Sequence, residues 1–172
     1  MRAIFDIFCR SGVPFLVIGG HAVNVYHVHR ATRDVDCMVV ADDKPMVRAL
    51  LVGRGFVEQL QEAGFSRFRH ESMAFPVVDV MQVNDGTWSK MWGSRRESEL
   101  FGLPVNVPAL PHLIALKLHA INQNPQRLLK DGNDIAQLLE ANPGVVQADE
   151  LQALCERYAP AGFFETIRTY LK

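Results

Sequence analysis

The chain has 172 residues, enough for one domain, or for a compact α/β core with a helical appendage, and this argues against a multidomain architecture. Eighteen basic residues stand against nineteen acidic ones, and the formal net charge of -1 excludes a global electrostatic pull toward DNA, RNA or anionic lipid, so any nucleotide contact has to be local. Cys9, Cys37 and Cys155 are odd in number and set among apolar residues, as reduced core thiols are; an acid already at Asp6 and the absence of a long apolar run give no signal peptide and no membrane span, so the expected location is cytoplasmic.

Ile4, Phe5 and Phe8 predict a short helix that stops at Ser11-Gly12. The apolar run Val13 to Ile18, closed by Gly19-Gly20, reads as a strand covered on both faces. Ala22, Val25, Tyr26 and His29 then share a helical face, and Asp34 to Val40 reads as a second buried strand. Asp42, Asp43 and Pro45 open a helix that carries Met46, Leu50 and Leu51 to Gly53. Farther on, Ser66 to His70 alternates and Phe75 to Val83 is strand-like with a lone acid inside it, so the two are expected to be neighbours. Asn84-Asp85-Gly86 signals a turn, Trp88 to Glu99 shows no clear period and is expected to be a surface excursion, and Gly102 to Pro108 suggests a short edge strand. From Pro111 onward three apolar patterns of helical period are separated by Asn124-Pro125 and Asn142-Pro143-Gly144. The expected architecture is α/β (α+β), with a catalytic core over residues 1–108 and a helical segment over 109–172 packed on it as a single compact domain.

The chemistry rests on three acids. Asp34 and Asp36, two apart in a strand, leave the same face. Two carboxylates about 4 Å apart repel by about 4 kcal/mol at an effective dielectric near 20, so positive charge must be nearby. Asp79, between Val78 and Val80 in an apolar strand, needs a cation as well. Either an arginine such as Arg67 or Arg69 supplies it, or a metal does; oxygen-only donors favour Mg²⁺ or Mn²⁺, and two such ions can clamp both ends of a phosphoryl transfer. Gly19-Gly20 is either a tight turn or a phosphate cradle, and a β-branched residue at Gly20 is expected to obstruct phosphate and to resist a positive φ. Arg30, Thr32 and Arg33 flank the acids closely enough to neutralise them or to reach phosphate, and His21 faces either a nucleotide or a neighbouring backbone group.

The order Ile18-Gly19-Gly20, thirteen residues from His21 to Arg33, Asp34-Val35-Asp36, and later Val78-Asp79-Val80 resembles the nucleotidyltransferase superfamily, whose fold is that of DNA polymerase β. Gly19 to Val23, Arg30 to Asp36, Leu113 to Leu118 and Lys130 to Ile135 are similar to the AbiEii-type nucleotidyltransferase toxins and related bacterial proteins. The resemblance implies a mixed sheet flanked by helices, a metal-dependent transfer of NMP from an NTP, ATP among them, to an acceptor hydroxyl, and release of pyrophosphate. It makes Asp34 and Asp36 ligands of both metal ions and Asp79 a ligand of the one nearest the attacking hydroxyl. Gly19, Gly20, His21, Arg33, Lys117 and Lys130 become candidates for binding the nucleotide, with Asp131 and Asp134 closing the cleft. The acceptor it implies is a tRNA, a protein or a small molecule, and the toxin likeness adds a cognate antitoxin as partner. A nucleotide- or partner-binding member without turnover, and a metal-dependent phosphoesterase, are the alternatives.

Overall fold

Two periodicities, one of the sheet and one of the helix, divide the chain at Pro108, and the division is visible in three dimensions. A computed structural model describes residues 1–171. Met1–Val25 and Arg30–Pro108 form one compact unit; Tyr26–His29 and the chain from Ala109 onward form another.

In the first unit, helix α1 (Arg2–Ser11) buries Ile4, Phe5, Ile7 and Phe8 and ends at Gly12, whose φ of 75° suits a left-handed helix stop. Strand β1 is only Leu16–Val17, shorter than the apolar run around it, because Pro14 has no N–H to give a ladder. Helix α2 (Gly19–Val25) follows at once and stops before Tyr26, so the longer helical face read through His29 is not formed. Asn24 clasps both backbone groups of Arg30, accepting from its N–H at 2.9 Å and donating to its carbonyl at 3.0 Å. Strand β2 (Val35–Val40), helix α3 (Lys44–Val52), strands β3 (Phe56–Glu62), β4 (Phe65–His70) and β5 (Val78–Val83) complete the main sheet.

Among the described residues the main sheet has five strands in the order β1-β2-β5-β4-β3, with β2 and β5 parallel and the other neighbours antiparallel. On one face Val35, Cys37, Ser66, Phe68, Val78 and Val80 are all buried. Burying each apolar side chain of this size contributes about 1.5–3 kcal/mol. The other face is more open near the start of β2 and β5.

The stretch Trp88 to Glu99, expected to be an irregular excursion, is instead helix α4 (Asp85–Gly93) and strand β6 (Arg96–Leu100). Asn84 caps α4 by accepting the Thr87 N–H at 2.9 Å, and Trp88 stacks on Trp92 one turn on with ring centroids 5.1 Å apart. These are packing and capping signals that hydrophobic period alone misses. The edge strand expected near Leu103 exists as β7 (Leu103–Val107), paired with β6 in a separate two-stranded sheet.

The second unit is helical: α5 (Leu110–Gln123), α6 (Leu128–Ala141), α7 (Ala148–Tyr158) and α8 (Phe163–Ile167). Leu113, Ile114, Leu118, Ile135, Leu138, Leu139 and Leu151 are its core. Asn142 ties Tyr26 into this unit, donating from its amide to the carbonyls of Tyr26 and Leu138 at 2.9 Å each. No helix among the described residues is long and apolar enough to cross a membrane, and the three cysteines are unbridged.

Candidate functional site

Parallel pairing of β2 with β5 sets Asp36 beside Asp79, and antiparallel pairing of β5 with β4 sets Asp79 beside Arg67. Paired residues project to the same side of a sheet, so Asp36, Asp79 and Arg67 make one row across three adjacent strands. Asp34 lies one residue before β2 begins, in a bend, and is exposed. Asp36 is half-buried and Asp79 is buried.

Arg67 meets Asp79 side-on and uses both carboxylate oxygens, Nε to Oδ1 at 2.8 Å and Nη2 to Oδ2 at 2.7 Å. Of the two arginines that share a face of β4, register selects Arg67; Arg69 stands opposite Val57 instead. The hydrogen bonds to Asp79 hold the Arg67 guanidinium above its ordinary pKa; burial opposes this, and the charges of Asp79, Asp34 and Asp36 add to it. One arginine thus senses all three acids. Sequence reading names Arg67 only as a candidate partner of Asp79, since the register that makes it part of the row is not a local property.

Gly19 is where the left-handed backbone falls, with φ 61°, and the expectation of a positive φ at Gly20 is corrected. A Cβ on Gly19 would overlap the Asp36 carboxylate and come within 2.8 Å of Asp36 Cβ, so this residue must be glycine for Asp36 to lie where it does. Gly20 is needed for a different reason: a Cβ there would stand 2.7 Å from Thr32 Cβ and collide with the Arg30 guanidinium. The glycine pair therefore packs the residues that flank the acids, and Arg30 and Thr32 close over α2 while Arg33 points to solvent.

His21 is buried in neither of the two ways its position suggests. Its ring meets Phe5 and Phe101 edge-on, with centroids 5.4 and 5.7 Å away, and its Nε2 has no hydrogen-bond partner among the described residues. Burial, then the chain's amino terminus and Arg30, push its pKa down, so the imidazole is neutral at pH 7.

In the helical unit, Lys117 is buried on α5 and donates to Asp131 at 3.0 Å and Asp134 at 2.5 Å, both on α6. Arg127 donates to the other oxygen of Asp131 at 2.6 Å. Lys117 is thus committed to two carboxylates, whereas Lys130, one residue before Asp131, is exposed.

The donor set of the sheet row suits a hard divalent ion in its chemistry, because Asp34, Asp36 and Asp79 offer only oxygens. Its arrangement is not a ready-made cage: among the described residues no three His, Cys, Asp or Glu side chains converge as metal ligands. The residue that prevents it is Arg67, which occupies Asp79.

This topology, a mixed sheet with an Asp row at its open face, is the nucleotidyltransferase fold. The lincosamide antibiotic adenylyltransferase LnuA, bound to lincomycin, matches with a TM-score of 0.60 at 16% identity, covering 81% of this chain and 94% of that one. The antibiotic-resistance factor ANT(2'')-Ia, in complex with adenylyl-2''-tobramycin, matches with a TM-score of 0.59 at 14% identity, over 96% of this chain and 91% of its own. An antigenic nucleotidyltransferase-like protein from Paracoccidioides brasiliensis matches with a TM-score of 0.59 at 16% identity, over 90% and 83% of the two chains. No protein-family model and no curated protein matches the sequence. At these identities the likeness establishes the fold.

Proposed function

We propose that this chain is a metal-dependent nucleotidyltransferase, which transfers an NMP from an NTP to an acceptor hydroxyl. The observation that carries the reading is the row of Asp36 and Asp79, in register on adjacent parallel strands, with Asp34 two residues upstream and the Asp36 carboxylate seated against the Cα of Gly19. Such a row concentrates negative charge at one edge of an open sheet face, where it serves only if cations and a triphosphate are brought to it.

In this reading the acceptor oxygen attacks the α-phosphorus in line, the bond to the bridging oxygen of the β-phosphate breaks, and pyrophosphate leaves. Bound Mg²⁺ or Mn²⁺, two ions in the full form, would neutralise phosphate charge and make the acceptor hydroxyl more acidic. Asp34 and Asp36 would hold them, and Asp79 would orient the acceptor hydroxyl and receive its proton once free of Arg67. Gly19 and Gly20 would let backbone amides approach the phosphates. Arg33 and Lys130, both exposed, would be available to the triphosphate; Lys117 would reach it only on leaving Asp131 and Asp134, and His21 would support the glycine turn from beneath. The fold shared with two enzymes whose structures contain lincomycin and an adenylylated tobramycin favours a small-molecule hydroxyl as acceptor over a tRNA or a protein. The AbiEii-type likeness keeps a cognate antitoxin as a partner to be sought, and the chain's charge and composition suit a cytoplasmic site of action.

Incubation with Mg²⁺, α-labelled NTPs and a cell extract should label one class of acceptor and release pyrophosphate. Asp36→Asn should lower the labelling by about a hundredfold or more while the fold survives. An unlabelled extract, or full labelling by Asp36→Asn, would overturn the reading. The Arg67 pair on Asp79 favours a second reading, a member that binds nucleotide without turnover; it predicts saturable NTP binding in the same extract with no label transferred.

A further inference from the structure

The acid row already contains a cation, and it is built in by strand register. Arg67 stands opposite Asp79 in the β4–β5 ladder as Asp79 stands beside Asp36 in the β2–β5 pairing, so the guanidinium is delivered to the row by backbone pairing and not by a chance rotamer. It meets both oxygens of Asp79 in the two-pronged geometry that suits arginine and that lysine cannot reproduce. A divalent ion on the same carboxylate would lie within a few ångströms of this guanidinium, and the two positive charges would repel.

Charge counting points the same way. Three carboxylates and one guanidinium leave two negative charges, which a single divalent ion balances; a second ion on the row makes it positive unless Arg67 withdraws. Withdrawal has a route. The Arg67 side chain is 44% exposed, and its Cζ lies 5.9 Å from the centre of the Phe65 ring, an aromatic face that stabilises a guanidinium released from its carboxylate.

We propose that Arg67 is the resident counter-cation of the Asp34, Asp36, Asp79 row and competes with divalent metal for Asp79, so that the resting protein takes one ion and a second binds only when Arg67 lets go. The proposal rests on the reading of these acids as metal ligands and adds a gate to it: Arg67 is a positioning residue that sets how many ions the row holds.

Mn²⁺ alone, without nucleotide, tests it. Calorimetry and the EPR signal of free Mn²⁺ should give one ion per wild-type chain, and two for Arg67→Met, with the ion at Asp79 bound at least about tenfold more tightly than in wild type. In EDTA, Arg67→Met should melt below wild type, and Mn²⁺ should restore more of that loss in the variant than it adds to wild type. Arg67→Lys keeps the charge but loses the two-pronged contact, and should fall between the two; it also serves if the methionine variant does not fold. Arg69→Met, the same charge change on the same face of β4 but outside the row, should match wild type in ion count and within about twofold in affinity. Equal ion counts and affinities in all these proteins, or no Mn²⁺ binding by any, would overturn the proposal. Label transfer by the wild type is scored separately: transfer with unchanged Mn²⁺ binding removes the gate and leaves the transferase, whereas a gain of Mn²⁺ in Arg67→Met with no transfer leaves the gate and removes the transferase.

Discussion

Two charged clusters lie in this chain, one on the sheet and one among the helices, and water reaches them very differently. On the sheet, Asp79 is paired with an arginine whose side chain is 44% exposed, and the two other acids are open or half-open. Among the helices, Lys117, Asp131 and Asp134 have side chains only 7%, 1% and 3% exposed, sealed in the core of the second unit. The helical cluster sets Lys117 and Arg127 against two carboxylates and is balanced, while the sheet cluster sets one arginine against three carboxylates and is not. A sealed, balanced cluster stabilises a fold and resists exchange; an open cluster with excess negative charge has a standing demand for cations. By that criterion the sheet row is where ligands come and go.

The comparison breaks most visibly if Lys117 proves dispensable. Lys117→Met strands two buried carboxylates and is expected to lower the stability of unfolding by about 3–5 kcal/mol. Arg67→Met, which leaves a partly accessible acid, should cost about 1–3 kcal/mol. Urea denaturation of both variants measures the two losses, and equal or reversed losses would erase the distinction between the clusters.

A smaller effect separates backbone strain from the contact with Asp36. Gly19→Ala and Gly12→Ala both force alanine into a left-handed conformation, φ 61° and 75°, at an expected cost of about 1–3 kcal/mol each. Nothing lies within 4 Å of a Cβ at Gly12, whereas one at Gly19 runs into Asp36. Gly19→Ala should therefore melt lower than Gly12→Ala and should alone weaken Mn²⁺ binding. Matching melts and matching Mn²⁺ affinities would remove Asp36 from the argument for this glycine.

The smallest effect is a pH dependence. Burial by itself would raise the Asp131 carboxyl, but the charge of Lys117 and the hydrogen bonds from Arg127 and Lys117 outweigh it and hold the group below its ordinary value of 3.8. A carboxyl depressed in the folded state contributes stability that is present above the ordinary value and is lost as the pH falls below it toward the folded one. Wild type should thus lose up to about 1 kcal/mol from this group as the pH drops through that range, and the gap between wild type and Lys117→Met should narrow. A gap of constant size from pH 6 to pH 3 would mean that Lys117 does not hold Asp131 ionised.

Part of this site is legible in the residues alone. Asp34-Val35-Asp36 shows its shared face through the two-residue period of a strand, and an acid between Val78 and Val80 declares its need for a cation because burial without one is costly. Helical spacing in the chain after Pro111 likewise announces α5, α6 and α7. The region from Trp88 to Leu100 was not legible as a helix and a strand, because its order comes from an Asn84 cap, a Trp88–Trp92 stack and a strand partner in β7.

What the sequence determined by itself is everything that depends on near neighbours: the strand and helix periods, the Gly19-Gly20 turn, and which acids need positive charge. Tertiary structure alone decided which charge each acid receives. Arg67 and Arg69 are indistinguishable as neighbours in a strand, and only the register of β4 on β5 gives Asp79 to Arg67; Lys117 meets Asp131 and Asp134 only because α5 packs on α6. Side-chain direction repeats every two or 3.6 residues and is written locally, whereas an ion pair between strands or helices forms at a distance along the chain and exists only after the elements have paired.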